Sequence, residues 1–203
     1  TSHGKIIRVG IGGAGSGKTE DVPLEVYVAR VLAGESAPRA APAAQQALAI
    51  AIRTYVLVNQ NRHQRDGFDI CDTTHCQVMR VATTVSRHAA LVTSGQLLLH
   101  KDELADVFYY ASCGGQSEAV TEVWPGTVSR PYLQSVEDDV CQHDKPWVVE
   151  LTTVELRQAL LKAGFAGSRL SGLDIERRST SGRVAQLRLV GLRPDVIAGD
   201  NFR

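Results

Sequence analysis

The chain has 203 residues, with 22 Lys and Arg against 22 Asp and Glu, and 43% of its residues are hydrophobic. These proportions are typical of a soluble globular protein with a buried core. A formal net charge of zero argues against a dedicated nucleic-acid or anionic-membrane binder, which normally carries a basic excess. Because no stretch approaches the roughly 18 apolar residues of a membrane span and no signal-peptide pattern opens the chain, we expect neither element.

The N-terminal part of the sequence predicts one strand and two helices. Residues 6–11 form a β-branched run that ends in a glycine-rich turn, which indicates a first strand. Pro23 suits the first turn of a helix whose apolar residues recur at helical spacing until Gly34. Residues 43–59 are apolar on most sides and predict a buried central helix, in which Arg53 needs a partner.

The sequence after Gly67 favours short strands, predicted at residues 91–93, 96–99, 107–110 and 147–151. Thr152 and Glu155 form a capping box ahead of a further helix, and residues 173–177 and 184–190 predict a hairpin. We therefore expect an α+β fold, in which a helical N-terminal part with a buried central helix packs on a mostly antiparallel β part. Residues 1–203 are interpreted as a single domain with room for two lobes.

A glycine-rich stretch at residues 12–19 matches the phosphate-loop pattern G-x4-G-K-[ST]. Phosphate binding needs a helix that begins at Lys18 and Thr19, but Glu20 and Asp21 place two carboxylates there and Pro23 follows. We therefore favour a flexible Gly/Ser loop and expect no nucleotide, with nucleotide binding as the alternative.

Four cysteines fall in two loose pairs, which allows two disulfides, metal ligation or one of each. Cys71, His75 and Cys76 form a compact group of thiolate and imidazole donors, the chemistry that zinc prefers. His63 would complete a closed Cys2His2 site of structural type. The alternative is a Cys71–Cys76 disulfide in an oxidising exterior.

Several sequence blocks, in order along the chain, resemble the stage II sporulation protein D and amidase-enhancer family. The blocks are VPLEVYVARVLAGES (22–36), AIAIRTYVL (49–57), CDTTHCQV (71–78), YYASCGG (109–115), EVW (122–124) and PYLQSVEDDVC (131–141). Members of this family act on bacterial peptidoglycan, as lytic transglycosylases on glycan strands stripped of stem peptides or as modulators of cell-wall amidases. The resemblance implies glycan strands and a cell-wall amidase as partners, an extracytoplasmic location, and a zinc ion of the kind that some relatives bind.

The resemblance assigns catalysis to the glutamate of the Gly-Glu pair in the first block, Glu35. If the first helix ends near Gly34, the negative end of the helix dipole disfavours a carboxylate at Glu35, which suits a general acid. Glu35 would protonate the bridging oxygen between N-acetylmuramic acid and N-acetylglucosamine, and then take a proton from the primary hydroxyl of the muramic sugar as an anhydro ring closes. No cofactor is required for this reaction. The alternative from local sequence is a glutamate that only ends a helix.

The remaining candidates for glycan binding are Arg53, Tyr55, Gln77, Tyr110, Ser112 and Gly114. Arg53 would pair either with a structural carboxylate or with Glu35 and the sugar, and Tyr55 lies on another face of the same helix. Residues 109–115 predict a strand that runs into a glycine turn, where a hydroxyl and backbone amides approach a sugar closely.

Cys113 lies in the same turn. It is interpreted as a disulfide partner of Cys141 or as a structural thiol, with a thiol nucleophile assisted by His100 or His143 as the weaker alternative.

Family members continue beyond a segment like residues 197–203 into a stretch with a Gly-His-Gly-x-Gly-Met-Ser-Gln type motif, which this sequence does not contain. We therefore expect either a domain truncated at its C-terminal end or a shortened relative of the family. The alternative function is a non-catalytic glycan-binding modulator of a cell-wall amidase.

Overall fold

The structure is a computed structural model, and it describes residues 4–13, 15–37, 39–143 and 145–202. It divides into two compact units, residues 1–109 and 110–203, each with its own apolar core. Helices and small sheets occur in both units, which confirms the predicted α+β class. Within the described ranges, no helix is long and apolar enough to cross a membrane.

A three-stranded sheet lies in the first unit. Strand β1 (Ile6–Gly10) pairs antiparallel with β2 (Thr19–Pro23) and parallel with β3 (Ile70–Cys71). The predicted first strand is confirmed. The glycine-rich stretch joins β1 to β2, so the chain enters a strand where phosphate binding would need a helix.

Three helices pack against one another, and the first also contacts β1 and β2: α1 (Leu24–Glu35), α2 (Pro42–Val58) and α3 (Thr84–Val92). The first two were predicted from apolar spacing, and their buried residues form much of the core of the unit. The strand predicted at residues 91–93 is wrong, because most of it belongs to α3. The buried side chains of α3 are the small residues Ser86, Ala89 and Ala90, whereas Leu91 is 71% exposed. The large apolar residues of this segment therefore show no helical period.

Two of the other predicted strands do not form. A hairpin of β4 (Leu99–His100) and β5 (Glu103–Leu104) overlaps the strand predicted at residues 96–99, but residues 107–110 and 147–151 are in no strand. Trp147, Val148 and Val149 are exposed, which shows that β-type residues without a neighbouring strand do not make a sheet.

The second unit contains α4 (Val120–Val123), α5 (Thr153–Lys162) and an antiparallel sheet of β6 (Gly172–Arg178), β7 (Val184–Val190) and β8 (Val196–Ala198). The predicted hairpin is confirmed by β6 and β7. The predicted capping box is also observed, since the Thr152 hydroxyl accepts from the backbone N–H of Glu155 and the Glu155 carboxylate accepts from that of Thr152.

Candidate active site and metal centre

Glu35 is the last residue of α1 and is partly buried. Its Oε1 accepts a hydrogen bond of 2.7 Å from the backbone N–H of Val78. Among the residues that the structure describes, none donates a hydrogen bond to Oε2. The carboxyl group is therefore held through one oxygen, while the other remains available for a ligand.

Gly34 allows the segment after Gln77 to lie directly against the end of α1. A Cβ at position 34 would overlap the carbonyl oxygen of Val78. The same segment is tied to α1 by a hydrogen bond of 3.0 Å from the backbone N–H of Arg80 to the carbonyl of Arg30. In the Gly-Glu pair, Gly34 thus allows the backbone of Val78 to lie close to α1, and the Glu35 carboxylate accepts a hydrogen bond from the Val78 N–H.

Gln77 links two tyrosines beside Glu35. It is almost fully buried; its Oε1 accepts from the Tyr27 hydroxyl at 2.9 Å, and its Nε2 donates to the Tyr109 oxygen at 3.0 Å. Because Gln77 supplies the donor in that second bond, the Tyr109 hydroxyl hydrogen is left to donate to another acceptor. Burial raises the pKa of Tyr109, and the nearby charge of Glu35 raises it further, so Tyr109 remains a neutral donor.

Sequence reasoning missed Tyr109 and named its neighbour Tyr110 instead. In the structure Tyr109 is partly buried against the core of its unit, whereas Tyr110 is 58% exposed. Neighbouring side chains in an extended segment point to opposite sides, so the pair of tyrosines already indicated that only one of them faces inward.

Arg53 is fully buried in α2, and its partner is Glu25 on α1. Its Nε and one terminal nitrogen donate to the two carboxylate oxygens of Glu25 at 3.0 and 2.6 Å. The guanidinium also donates to the backbone carbonyls of Ala90 and Gln96. Of the two partners that the sequence left open, the structure therefore shows the structural carboxylate and not Glu35.

We expect Arg53→Lys to lower the free energy of unfolding by about 3 kcal/mol, because an ammonium cannot replace a buried bidentate guanidinium. Arg8→Lys is the matched control, since Arg8 also binds both oxygens of a carboxylate, that of Asp21, but at an exposed site. The control should leave stability nearly unchanged. Urea unfolding of the two variants measures the difference, and equal losses would refute the role assigned to burial.

The other predicted glycan contacts differ in their surroundings. Tyr55 packs partly buried against the core of the first unit, and burial raises its pKa. Tyr110, Ser112 and Gly114 are exposed and belong to the second unit. Gly114 has a φ of 63°, so the glycine turn predicted here is observed, although no strand precedes it.

His63, Cys71, His75 and Cys76 bring four donor atoms together, all within 4.8 Å of one another. The Cys76 Sγ lies 3.3 Å from the Nε2 of His63 and 3.5 Å from the Nδ1 of His75, and the Cys71 Sγ lies 3.7 Å from that Nδ1. Two thiols and two imidazoles at these separations match the donors of a closed tetrahedral zinc site.

Groups around the four donors orient the His63 ring and favour the thiolate of Cys71. The Nδ1 of His63 lies 2.7 Å from a carboxylate oxygen of Asp66, which orients the ring so that Nε2 faces the other donors. Burial disfavours the Cys71 thiolate, but hydrogen bonds from Thr73, Cys76 and His75 outweigh it and lower the pKa of the thiol to about 6. These hydrogen bonds favour the thiolate of Cys71, which is the form that binds metal, whereas burial and the neighbouring Cys71 sulfur raise the pKa of the Cys76 thiol.

Residues 13–100 match the family model described as Stage II sporulation protein. An uncharacterised protein of Brachyspira hyodysenteriae is 27% identical over 83% of this chain and 47% of its own length. Stage II sporulation protein D of Bacillus amyloliquefaciens is 26% identical over 58% of the chain and 39% of the relative, and that of Bacillus subtilis is 22% identical over 81% and 50%. The chain thus spans half or less of the length of these curated relatives. The matched residues include Glu35, Gln77 and the four metal-type donors.

Proposed function

We propose that this chain, which belongs to the stage II sporulation protein D family through residues 13–100, is a lytic transglycosylase of bacterial peptidoglycan. The substrate is a glycan strand stripped of stem peptides, and the products carry anhydro-muramic ends. The protein would then work in the cell envelope or outside it, where this polymer lies. The observation that carries the proposal is the carboxyl group of Glu35, held by the Val78 N–H through one oxygen and open at the other.

The reaction needs one carboxyl group that first donates and then accepts a proton. The Oε2 of Glu35 gives its proton to the oxygen between N-acetylmuramic acid and N-acetylglucosamine, and that glycosidic bond breaks through an oxocarbenium-like state. The Glu35 carboxylate then removes a proton from the primary hydroxyl of the muramic sugar, whose oxygen attacks the anomeric carbon. The ring closes, the leaving sugar keeps the first proton, and Glu35 is protonated again for the next cycle.

Tyr109 and Gln77 act as positioning residues in this proposal. Gln77 fixes the oxygen of Tyr109 by donating to it and is itself fixed by the Tyr27 hydroxyl. The free hydroxyl hydrogen of Tyr109 is then available to the Glu35 carboxylate or to a sugar oxygen. A preorganised neutral donor beside the carboxyl group stabilises the negative charge that appears when Glu35 gives up its proton.

We further propose that His63, Cys71, His75 and Cys76 hold a structural zinc ion. Four protein donors leave no position for a reacting water, so the ion would supply a cross-link and no catalytic step. Cys76 directly precedes Gln77 and Val78, the residues that contact Tyr109 and Glu35. The metal would therefore fix the segment that positions the carboxyl group.

The function is tested by incubating the purified chain with peptide-free glycan strands and analysing the products by mass spectrometry. We expect fragments with anhydro-muramic ends from these strands, and no cleavage of matched strands that retain their stem peptides. Hydrolytic fragments without anhydro ends would contradict the proposed mechanism. Binding without any cleavage would favour the alternative, a glycan-binding modulator of a cell-wall amidase.

A further inference from the structure

The second unit contains another close pair of cysteines, Cys113 and Cys141. Their sulfurs and a carboxylate oxygen of Asp138 lie within 4.8 Å of one another. Cys113 is almost fully buried, whereas Cys141 is partly exposed. The two cysteines are far apart in sequence, so their approach is a property of the tertiary structure.

Two paired segments bring the cysteines together. Gln116 lies opposite Glu137 in an antiparallel bridge, the Ser117 N–H donates to the Val136 carbonyl at 2.8 Å, and the Asp138 N–H donates to the Gly115 carbonyl at 2.9 Å. Cys113 lies just before this pairing on one segment, and Cys141 lies just after it on the other, in a 3-10 helix (Asp139–His143). The end of the paired segments thus brings the two sulfurs to within 4.8 Å, close enough for a small side-chain movement to join them.

The surroundings of this pair differ from those of the Cys71 group. The Cys113 thiol lies 3.6 Å from a carboxylate oxygen of Asp138 and donates toward it, which is the behaviour of a protonated thiol. Arg183 donates to the backbone carbonyls of Cys113 and Gln116, and so brings a positive charge to the same turn. Two sulfurs, one carboxylate and a neighbouring guanidinium favour a sulfur–sulfur bond over a bound cation.

We propose that Cys113 and Cys141 form a disulfide that closes the end of these paired segments, by exchange with a low-molecular-weight disulfide such as oxidised glutathione. The thiolate of the more exposed Cys141 attacks one sulfur of that reagent, forms a mixed disulfide and releases one glutathione thiolate. The Cys113 thiolate then attacks the Cys141 sulfur and releases the second. The two protein thiols lose two electrons to the reagent, and their protons pass to the two glutathione thiolates.

The cross-link fixes the exposed turn at Ser112 and Gly114, which flank Cys113 in sequence. In the described part of the chain, hydrogen bonds of the paired segments and of Arg183 also hold the turn to its neighbours. The disulfide requires only the fold of the second unit, so it does not depend on the proposed enzymatic function.

The link is tested by equilibrating the zinc-loaded full chain with oxidised glutathione, blocking free thiols and digesting with a protease that cleaves after glutamate. Cleavage after Glu103, Glu118, Glu137 and Glu150 separates the cysteines onto residues 104–118 and 138–150. Trypsin is unsuitable, because prolines follow Arg130 and Lys145 and both cysteines then stay on one peptide. We expect mass spectrometry to find the two glutamate-cleavage peptides joined before reduction and separate after it.

Thermal unfolding gives an independent readout. A reductant should lower the melting temperature of the oxidised parent by roughly 10 °C, because the bond closes a loop of about 27 residues. Cys113→Ser and Cys141→Ser should each melt like the reduced parent and show no response to reductant. Cys141→Ser changes only a partly exposed side chain, so it tests the contribution of the bond to stability even if Cys113→Ser does not fold.

Three results would overturn the proposal. Free thiols at Cys113 and Cys141 after equilibration would show that the bond does not form. A link from Cys113 to Cys71 or Cys76 would show a different pairing. A second equivalent of zinc that is lost in Cys141→Ser would make the group a metal site instead.

Discussion

Glu35→Gln is expected to lower the rate of glycan cleavage by roughly 10³-fold, the contribution of a general acid and base. The amide has the shape of the carboxyl group, and its oxygen still accepts the Val78 N–H, but it cannot give or take the proton that the reaction needs. Stability should change by less than about 0.5 kcal/mol, since the hydrogen bond from the Val78 N–H is kept. Release of anhydro-muramic ends, measured by mass spectrometry over time, gives the rate.

The matched control is Glu20→Gln, which removes the same charge from β2, where Glu20 forms a surface ion pair with Arg30. It should retain the parent rate. Binding of the glycan strands, measured by sedimentation with them, should persist in both variants. If Glu35→Gln keeps a rate within about tenfold of the parent, another residue carries the proton transfer.

His75→Ala is expected to remove most of the bound zinc and to lower the free energy of unfolding by about 4 kcal/mol when zinc is present at roughly a thousand times its dissociation constant. The loss of stability would come from the missing zinc ligand and not from lost packing, because the His75 side chain is exposed. Elemental analysis should find about one zinc ion per parent chain. A chelator should lower the melting temperature of the parent but not that of the variant.

His88→Ala is the matched control, because His88 is also exposed but belongs to α3 and to no group of metal-type donors in the described part of the chain. It should retain zinc and respond to the chelator as the parent does. A parent without zinc whose Cys71 and Cys76 are joined to each other would contradict the metal site and support the disulfide alternative.

Local sequence signals predicted those parts of the fold whose physical cause is local. Pro23 and Gly34 bracket the first helix, and the structure ends that helix at Glu35, one residue beyond the glycine. Thr152 and Glu155 cap α5, since both hydrogen bonds join residues within one helical turn. The hairpin of β6 and β7 formed as predicted for the same reason, because its two arms adjoin a short turn.

The strands predicted at residues 107–110 and 147–151 were wrong because a strand needs a partner, and β-type residues do not say where that partner lies. The helix α3 was missed because its buried face consists of small residues, a serine and two alanines, and shows no period of large apolar side chains. Whether these segments form strands or a helix therefore depended on the neighbouring segments against which their side chains pack.

By itself, the sequence determined the donor types and the candidate acid: Glu35 after a helix, and His63, Cys71, His75 and Cys76 at metal-type spacing. Only the tertiary structure decided their partners. It paired Arg53 with Glu25, placed the Val78 N–H on Glu35, and brought Tyr109 to Gln77. The physical reason is that caps and turns are satisfied by near neighbours in the chain, whereas a buried polar group takes the complementary group that packing brings to it.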